Sequence, residues 1–573
     1  MPRDDACTVA RMKQLRVLLA LVVLCGCSTG GSGSGIDGGA RDGGVTCTNR
    51  TDSDHDGVAD EFEGPAGTDT DADGTPNLGD LDDDGDGLST AAEAGSNPCA
   101  PYDTDADGVF DFLDTDSDND GVTDVDELLH GTDSRVRDTD GDMVTDLGEI
   151  AAGTDPLNPA STIPPGDFFV VLPYMGEHVP RTLRFGTNIQ KADIYFLVDT
   201  TGSMQPAIDN VRSSLARIAT EVAARIPDVQ MGVGRLEDFP FSDSSPFGMT
   251  FYGSAADVPY ENRQDITADV SVVGAALGAL DIGDGHDGPE SQVEALYQTA
   301  TGEGAAWTTS IPPGGLLGGL SNYTLPAKSC PSIPDEIGIR RGYPCFRPES
   351  LPIVVLVTDI EWHNGYADGT HWPYSMISPA PHTLPQAADA LRAIGGRYIG
   401  IAVGDTEPVA YWRMDHEAVA LATGSVDETG APLVYDALSG AVSDAILMGL
   451  ETLALRTPQD VNTNTEDVPG NPGGVDATTF IKSIVPVEGY SPAGIPGPMP
   501  GVTYVSKDET TFYGVTPGCM VDFAVDFYND IVPPPATAQI YRARIIVVGN
   551  GVARLSERQV YIIVPPDRAI ILI

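Results

Sequence analysis

Between residues 191 and 456, unbroken apolar runs alternate with stretches whose apolar residues recur every three or four positions. The runs "ADIYFLVD" (192–199), "VQMGVGRLED" (229–238), "LPIVVLVTD" (351–359) and "RYIGIAVG" (397–404) predict buried strands. A strand covered on both faces is apolar at consecutive positions rather than alternate ones. "AIDNVRSSLARIATEVAARI" (207–226), "SQVEALYQTA" (291–300), "LPQAADALRAIGG" (384–396) and "VSDAILMGLETLA" (442–454) carry the helical period. Strand and helix in alternation predict a doubly wound α/β domain, a mostly parallel sheet with helices on both faces. Ligands of such sheets bind beyond the carboxyl ends of the strands, where Asp199 and Asp359 stand.

The flanks read differently. "FFVVLPY" (168–174) and "RTLRFG" (181–186) are short strands, and after residue 457 Pro, Gly and β-branched residues dominate. There "VTYVS" (502–506), "TTFYGV" (510–515), "MVDFAVDFY" (520–528), "QIYRARIIVVG" (539–549) and "RQVYIIVPP" (558–566) predict antiparallel strands of a β-sandwich. The strands of 165–190 are expected to pack with those of 457–573, so the α/β domain of 191–456 is an insertion. "IIVPPDRAIILI" (562–573) closes the chain as an edge strand rather than a membrane anchor.

Residues 51–160 show neither period. Residues 51–155 hold 33 Asp or Glu and two Arg. The acids are ordered. Asp52, Asp54, Asp56, Asp60 and Glu63 stand at positions one, three, five, nine and twelve of a loop, with Gly57 at the sixth. The frame returns as Asp69, Asp71, Asp73, Asn77 and Asp80, then as Asp82, Asp84, Asp86 and Glu93. Asp103, Asp105, Asp107, Asp111 and Asp114 follow, then Asp116, Asp118, Asp120, Asp124 and Glu127. The last copy is Asp138, Asp140, Asp142, Asp146 and Glu149, with Met143 in place of the glycine. Alternate positions of a tight loop turn carboxylates inward, the glycine permits the turn, and the twelfth acid closes an oxygen shell suited to Ca²⁺. No helices flank these loops as in an EF-hand, and neighbouring loops nearly touch. The array resembles thrombospondin type-three repeats, which implies a calcium-wrapped stalk with little apolar core. Calcium binding is then folding energy.

The whole chain has 573 residues and a formal charge of −54. So large an acid excess argues against nucleic acid as a partner, which requires a basic footprint. At the N-terminus Lys13 and Arg16 precede "VLLALVVL" (17–24), too short to span a bilayer, and "LCGC" follows. The segment 1–27 resembles a bacterial lipoprotein signal. That implies lipidation of Cys27, with Met12 an alternative start, and localisation at the outer membrane, on the cell surface or the periplasmic face. An ordinary secretory signal is the alternative. Residues 28–50 begin with a Gly/Ser-rich stretch and form a tether. "GCSTG" (26–30) fits a hydrolase G-x-S-x-G pattern but lies in signal and tether, not at a strand-to-helix turn. Export implies an oxidising compartment. Cys330 and Cys345 bracket a Pro/Gly loop and are expected to pair, Cys47–Cys99 is a second candidate, and Cys519 is left over. Spacing alone leaves other pairings open.

The first strand of the α/β domain delivers Asp199-x-Thr201-x-Ser203 at its end. A capping turn would account for that stretch alone, but not for the acids Glu290 in "GHDGPESQVEALYQ" (285–298) and Asp359 in "VVLVTDIEWHNG" (354–365). The spacing is similar to a metal-ion-dependent adhesion site, and the region resembles a von Willebrand factor A domain, nearest to the integrin β I-like type. The T-x-T-G loop of the usual members is missing. The resemblance implies Mg²⁺ held by Asp199, Thr201, Ser203, Glu290 and Asp359, partly through water. It also implies a second site, for calcium, at Asp238, Asp287, the Pro289 carbonyl and Glu290, although Gly285 occupies one further ligand position there. A third site needs acids where Pro206 and Ala207 stand, and is expected to be absent. The flanking strands match the position of the integrin hybrid β-sandwich. Catalysis finds no support: Ser203 has no evident base, and "HEAVA" at His416 lacks a second histidine. The expected function is a lipid-anchored, calcium-binding surface protein. It would bind a protein partner by an acidic residue coordinated to the adhesion-site metal. The alternative is a scaffold whose metals only stabilise the fold.

Overall fold

The computed structural model describes residues 47–142, 144–161, 167–242, 252–283, 288–311, 319–333, 338–366, 371–404, 410–491, 503–535 and 538–565. Cys27 and its signal, Met143, Asp287 and the chain end from residue 566 lie outside the described residues. The chain divides into two compact units, Met1–Tyr102 with Phe110–Leu113, and Asp103–Val109 with Asp114–Ile573.

The first unit is mostly loop, with one short helix, α1 (Thr90–Glu93). Its apolar content is small but organised: Val58, Ala94 and Phe112 are buried together, with Phe62, Phe110 and Leu113 against them. Each comes from a different repeat or its flank, which is why no period exposed them. The Cys47–Cys99 disulfide, with a Cα–Cα distance of 5.1 Å, closes this unit.

In the second unit the last two repeats each end in a helix, α2 (Asp124–His130) and α3 (Asp146–Ala152). Thr123 and Thr145 cap them by accepting amide hydrogens from Asp126 and Gly148, and left-handed Gly131 and Gly153 stop them. Val122 and Leu147 pack against Val171 and Ile563. The boundary between the two units therefore falls inside the array, not at residue 160 where composition changes. The last two repeats share an apolar cluster with the strands that follow.

Those strands begin with β1 (Phe168–Val171) and β2 (Val179–Gly186). The α/β domain comes next, in the order β3 (Lys191–Asp199), α4 (Gln205–Ala223), β4 (Asp228–Leu236), β5 (Glu261–Thr267), α5 (Val270–Gly278) and α6 (Gln292–Thr301). It continues through β6 (Ala305–Thr309), β7 (Asn322–Leu325), β8 (Leu351–Thr358), β9 (Ile377–Ser378), α7 (Leu384–Ala393), β10 (Arg397–Val403), α8 (Ala410–Ala422), β11 (Val434–Ala437) and α9 (Val442–Arg456). Its main sheet runs β11-β10-β8-β3-β4-β5, and only the β4–β5 pairing is antiparallel. Side chains of β3 alternate between two cores. Ile194, Phe196 and Val198 join α4, α5 and α9 on one face, while Tyr195 and Leu197 join α6, α7 and α8 on the other. The strand order reverses at β3 and β8. The chain leaves β3 toward β4 and β5, then returns to β8, β10 and β11 on the opposite side. Loops leaving such a pair diverge and open a crevice at the carboxyl ends.

The chain ends with β12 (Gln459–Asp467), β13 (Ile481–Tyr490), β14 (Ser506–Lys507), β15 (Phe512–Val515), β16 (Met520–Phe527), β17 (Gln539–Gly549) and β18 (Ala553–Val564). One sheet is β1-β18-β17-β12-β15-β14 and another is β13-β16-β2. β1 pairs with β18 and β2 with β16, so chain from before and after the α/β domain meets in both sheets. Phe512 and Phe523 meet edge to face between the two sheets at 5.3 Å.

Three details depart from the expected strands. β1 is parallel to β18, not antiparallel. Since β17 pairs on the other side, Ile562–Val564 lies inside a sheet rather than at an edge. "VTYVS" yields only β14 at its end. β5, β6, β7, β9, β11, β12, β13, α5 and α8 were not expected, nor were the short helices α1, α2 and α3 that end three of the acidic loops. β12 reads "QDVNTNTED", with Val461 its only aliphatic residue, and becomes a strand because β17 and β15 hydrogen-bond it from both sides.

Candidate metal centres

The acidic loops share one backbone design. The sixth-position glycines Gly57, Gly74, Gly87, Gly108 and Gly121 have φ of 100°, 103°, 101°, 97° and 100°. The fourth positions also turn left-handed, at His55, Ala72, Gly85, Ala106, Asn119 and Gly141, with φ from 58° to 79°. The sequence frame did not reveal this second turn, because four different residue types, His, Ala, Gly and Asn, occupy it. A left-handed alanine is strained, and the surrounding loop must hold it there.

Within each loop the acids first organise the backbone. The amides of Asp56, Asp73, Asp86, Asp107, Asp120 and Asp142 donate to the carboxylate two residues earlier, at 3.0–3.2 Å. The carboxylates of Asp56, Asp73, Asp86, Asp107, Asp120 and Asp142 themselves accept from the amide two residues on, at 2.7–2.9 Å. One oxygen per acid is used in this way. The other is left buried without a hydrogen-bond partner at Asp54, Asp56, Asp86, Asp118, Asp140 and Asp142, and so are both oxygens of Glu63 and Glu127. Buried polar atoms are normally satisfied, so a repeated set of orphaned oxygens points to a missing counter-charge. The oxygens of Asp52, Asp54 and Asp56 lie within 4.8 Å of one another, as do those of Asp69, Asp71 and Asp73, and of Asp82, Asp84 and Asp86. Such all-oxygen groups fit a hard cation.

The ninth-position acids behave differently from the expected ligands. Asp60, Asp124 and Asp146 accept from the amide and the hydroxyl of Ser53, Ser117 and Thr139, so both oxygens are already engaged. Asn77 accepts from the Thr70 amide through its side-chain oxygen and donates its side-chain amide to the Thr70 hydroxyl. These residues clasp the loop, and a cation would reach them through water.

Burial, then the charge of neighbouring acids, pushes Glu63 up to about 8, Asp116 and Asp118 to about 8 and Glu127 to about 9. A carboxyl raised in the fold binds more protons there than in the unfolded chain. Its contribution to the cation-free fold is full below about pH 4 and is lost as pH rises through 8 to 9. In EDTA, hydrogen exchange over residues 51–155 should therefore speed up from pH 4 to pH 9, after correction for intrinsic exchange. With calcium the trend should vanish. A pH-independent protection in EDTA would contradict the assignment.

The second centre lies in the switch-point crevice of the α/β domain. β3 ends in Asp199 and β8 in Thr358, side by side at the sheet edge. Asp199 is fully buried. Its Oδ1 accepts from the Thr201 amide at 2.9 Å and the Thr201 hydroxyl at 2.7 Å, and its Oδ2 accepts from the Thr358 hydroxyl at 2.6 Å. Gln292 donates to that Thr358 hydroxyl at 3.0 Å. Thr201 is bridged to Gly283, and Glu290 to Trp362 on the loop just after Asp359. Glu290 is buried, Asp359 half-buried and Ser203 exposed. The three loops thus meet at this end of the sheet: Thr201 hydrogen-bonds Asp199, Asp359 acts on Asp199, and Glu290 is bridged to the loop that follows Asp359. Burial first, then the charge of Asp359, lifts Asp199 to about 7 against the hydrogen bonds from Thr358 and Thr201. Thr358, Gln292 and Ser291 escaped the sequence reading. Ser291 fixes the Glu290 loop by donating to the carbonyls of Glu237 and Pro259. Their one signal was polar residues at the ends of a buried strand and a buried helix.

The expected second ion site meets other chemistry. Asp238 is buried, accepts from the Tyr374 hydroxyl and the Phe239 amide, and faces His363 Nε2 at 3.4 Å. Asp238 is thus built into an aromatic pocket with Tyr252 and Tyr374. Pro289 is buried and Asp287 lies outside the described residues. The Cys330–Cys345 disulfide closes a loop of the same domain, and Cys519 is a free, buried thiol. Among the described residues, no helix is long and apolar enough to cross a membrane.

No family model matches the chain, and no curated protein does. Among solved structures, it is similar to a von Willebrand factor type A protein from Catenulispora acidiphila. The identity is 12%, with 70% of this chain and 72% of that one covered and a TM-score of 0.27. It is also similar to the pilus adhesin SpaC of Lactobacillus rhamnosus GG, at 13% identity and a TM-score of 0.27, over 67% of this chain and 46% of the adhesin. Proximal thread matrix protein 1 of the mussel byssus matches at 13% identity over 49% of this chain and 50% of that one, with a TM-score of 0.25.

Proposed function

We propose that this chain is a cell-surface adhesion protein. The α/β domain acts as a von Willebrand A-type module of the integrin β I-like kind, flanked by a hybrid-like β-sandwich. It is carried on a calcium-loaded array similar to thrombospondin type-three repeats, and anchored by a lipid on Cys27. Asp199, Thr201, Ser203, Glu290 and Asp359 hold Mg²⁺. The cation there offers an electrophilic position to a carboxylate of a protein partner.

The observation that carries this reading is the one-sided burial of the cluster. Asp199 and Glu290 are buried while Ser203 is exposed and Asp359 half-buried, so the group opens to solvent. A purely structural ion would be enclosed by protein on all sides. Thr358 and Thr201 orient Asp199, and Gln292 orients Thr358, so the open side is backed by a fixed frame. His363, on the loop that follows Asp359, is held by the Trp372 carbonyl and Asp238, which favours binding over catalysis. The array favours a structural role for its own ions, since their orphaned oxygens are buried. The test is capture of a partner from a cell-surface or matrix extract by the immobilised chain, in Mg²⁺ and in EDTA. Capture that is equal in both overturns the reading.

Anchoring has its own test. One acyl chain contributes roughly 0.8 kcal/mol per buried CH₂ and anchors only weakly, so stable anchoring needs more than one. Cys27→Ser should move the protein from the membrane pellet to the soluble fraction. Equal pelleting of variant and parent contradicts lipidation.

A further inference from the structure

The third loop breaks a pattern that the other loops keep. Its second position is Asp83, where the other five loops have Ser53, Thr70, Thr104, Ser117 and Thr139. Its ninth position is Thr90, where the others carry Asp or Asn. The clasp is therefore reversed: the Asp83 amide donates to the Thr90 hydroxyl at 3.2 Å. This uses only the backbone of Asp83, and its carboxylate is released. That carboxylate is 1% exposed, and neither oxygen has a hydrogen-bond partner. Among neighbouring acids, Asp56 and Asp54 of the first loop act on it more strongly than Asp80 and Asp82 beside it. Oxygens of Asp83, Asp56 and Glu63 lie within 4.8 Å of one another, and Asp56 and Glu63 belong to the first loop.

We propose that Asp83 is a ligand of the first loop's cation site, so that one bound Ca²⁺ ties the first and third loops together. The inference rests on the calcium reading of the array and adds a ligand that the repeat frame does not contain. Ca²⁺ binds oxygens at about 2.3–2.6 Å, so two ligands of one ion stand at most about 5 Å apart, which the Asp56–Glu63–Asp83 group satisfies. Loops of this kind supply side chains from positions one, three, five and twelve and a carbonyl from the seventh, and often use the ninth through water. In the first loop the ninth residue, Asp60, is bonded through both oxygens to Ser53. Asp83 brings a direct carboxylate instead. The first site then has Asp52, Asp54, Asp56, Glu63 and Asp83, with Asp83 in place of the ninth-position acid as a direct ligand. The same stretches are also joined by the Cys47–Cys99 disulfide and by the Ala59 amide on the Pro98 carbonyl at 3.1 Å. Metal, disulfide and backbone bond together make the two loops one unit, so the ion should shield the disulfide.

The experiment uses the full chain with Asp83→Ala and Asp83→Asn, both of which keep the backbone clasp, and Asp105→Ala in the fourth loop as a comparison. Calorimetry counts calcium sites and affinities, and the rate of Cys47–Cys99 reduction by dithiothreitol is followed in Ca²⁺ and in EDTA. In the parent, Ca²⁺ should slow reduction. Asp83→Ala should weaken one site by about tenfold or more, as loss of a ligand charge does, and remove most of the protection. Asp83→Asn, which keeps an oxygen without the charge, should fall between. Asp105→Ala should change calcium binding and leave the disulfide protected. Parent-like affinities and protection in both Asp83 variants would overturn the proposal while the calcium array stands. A parent that binds no calcium would overturn the array and the proposal together.

Discussion

EDTA should convert residues 51–155 from an ordered array into an expanded chain, with the greatest loss over residues 51–102. Among the described residues of its unit, the buried apolar cluster is small: Val58, Ala94 and Phe112. Against this small core stand one oxygen each of Asp54 and Asp56 and both oxygens of Asp83 and Glu63, all buried and orphaned. Cations relieve that repulsion. A site kept at a hundred times its Kd adds about 2.7 kcal/mol, and a small domain's whole stability is only about 5–15 kcal/mol. Emptying several sites at once therefore exceeds what three apolar residues and one disulfide retain. The last two repeats should lose less, because Val122 and Leu147 pack on Val171 and Ile563. Scattering should show a larger radius in EDTA, and hydrogen exchange should locate the change. An unchanged radius and unchanged protection on adding millimolar Ca²⁺ would contradict this.

Asp199→Ala and Glu290→Gln should abolish Mg²⁺ binding and partner capture while the α/β domain stays folded. The fold does not need these carboxylates. Its cores are the aliphatic side chains of β3, β8 and β10 under α4 and α9 on one face and α6 to α8 on the other. Asp199→Ala loses hydrogen bonds from Thr201 and Thr358, each a net contribution of about 1 kcal/mol. It also removes a buried carboxyl that Asp359 repels. The two effects oppose, so the melting temperature should move by a few degrees at most. Because Asp199 rises to about 7 without metal, binding must displace a proton near neutrality, and Mg²⁺ affinity should weaken as pH falls below 7.

The α/β domain was legible because its four central strands, β3, β4, β8 and β10, announced themselves by apolar runs, and because acids stand at the end of β3 and just past the end of β8. The array was legible from spacing alone. What stayed hidden was set by partners distant in sequence. β12 is a strand through its neighbours, and β1 is parallel to β18 through a pairing across the whole inserted domain. Thr358 and Gln292 matter only because β8 and α6 bring them to Asp199. Asp83 looked like one more acid in an acidic run until its partnerless burial beside Asp56 and Glu63 set it apart.

The central claim is that the crevice at Asp199 binds a partner through its metal. The most direct measurement is capture from a cell-surface or matrix extract by immobilised parent, Asp199→Ala and Glu290→Gln chains in Mg²⁺, with parent in EDTA beside them. Melting and Mg²⁺ titration of each chain are run in parallel. The account predicts capture by the parent in Mg²⁺ alone, and none by the variants, which are folded yet hold no Mg²⁺ at this site. Variants that lose the metal and still capture the partner would place the binding surface elsewhere. Variants that lose the metal and unfold would make the site structural. Either result would contradict the claim.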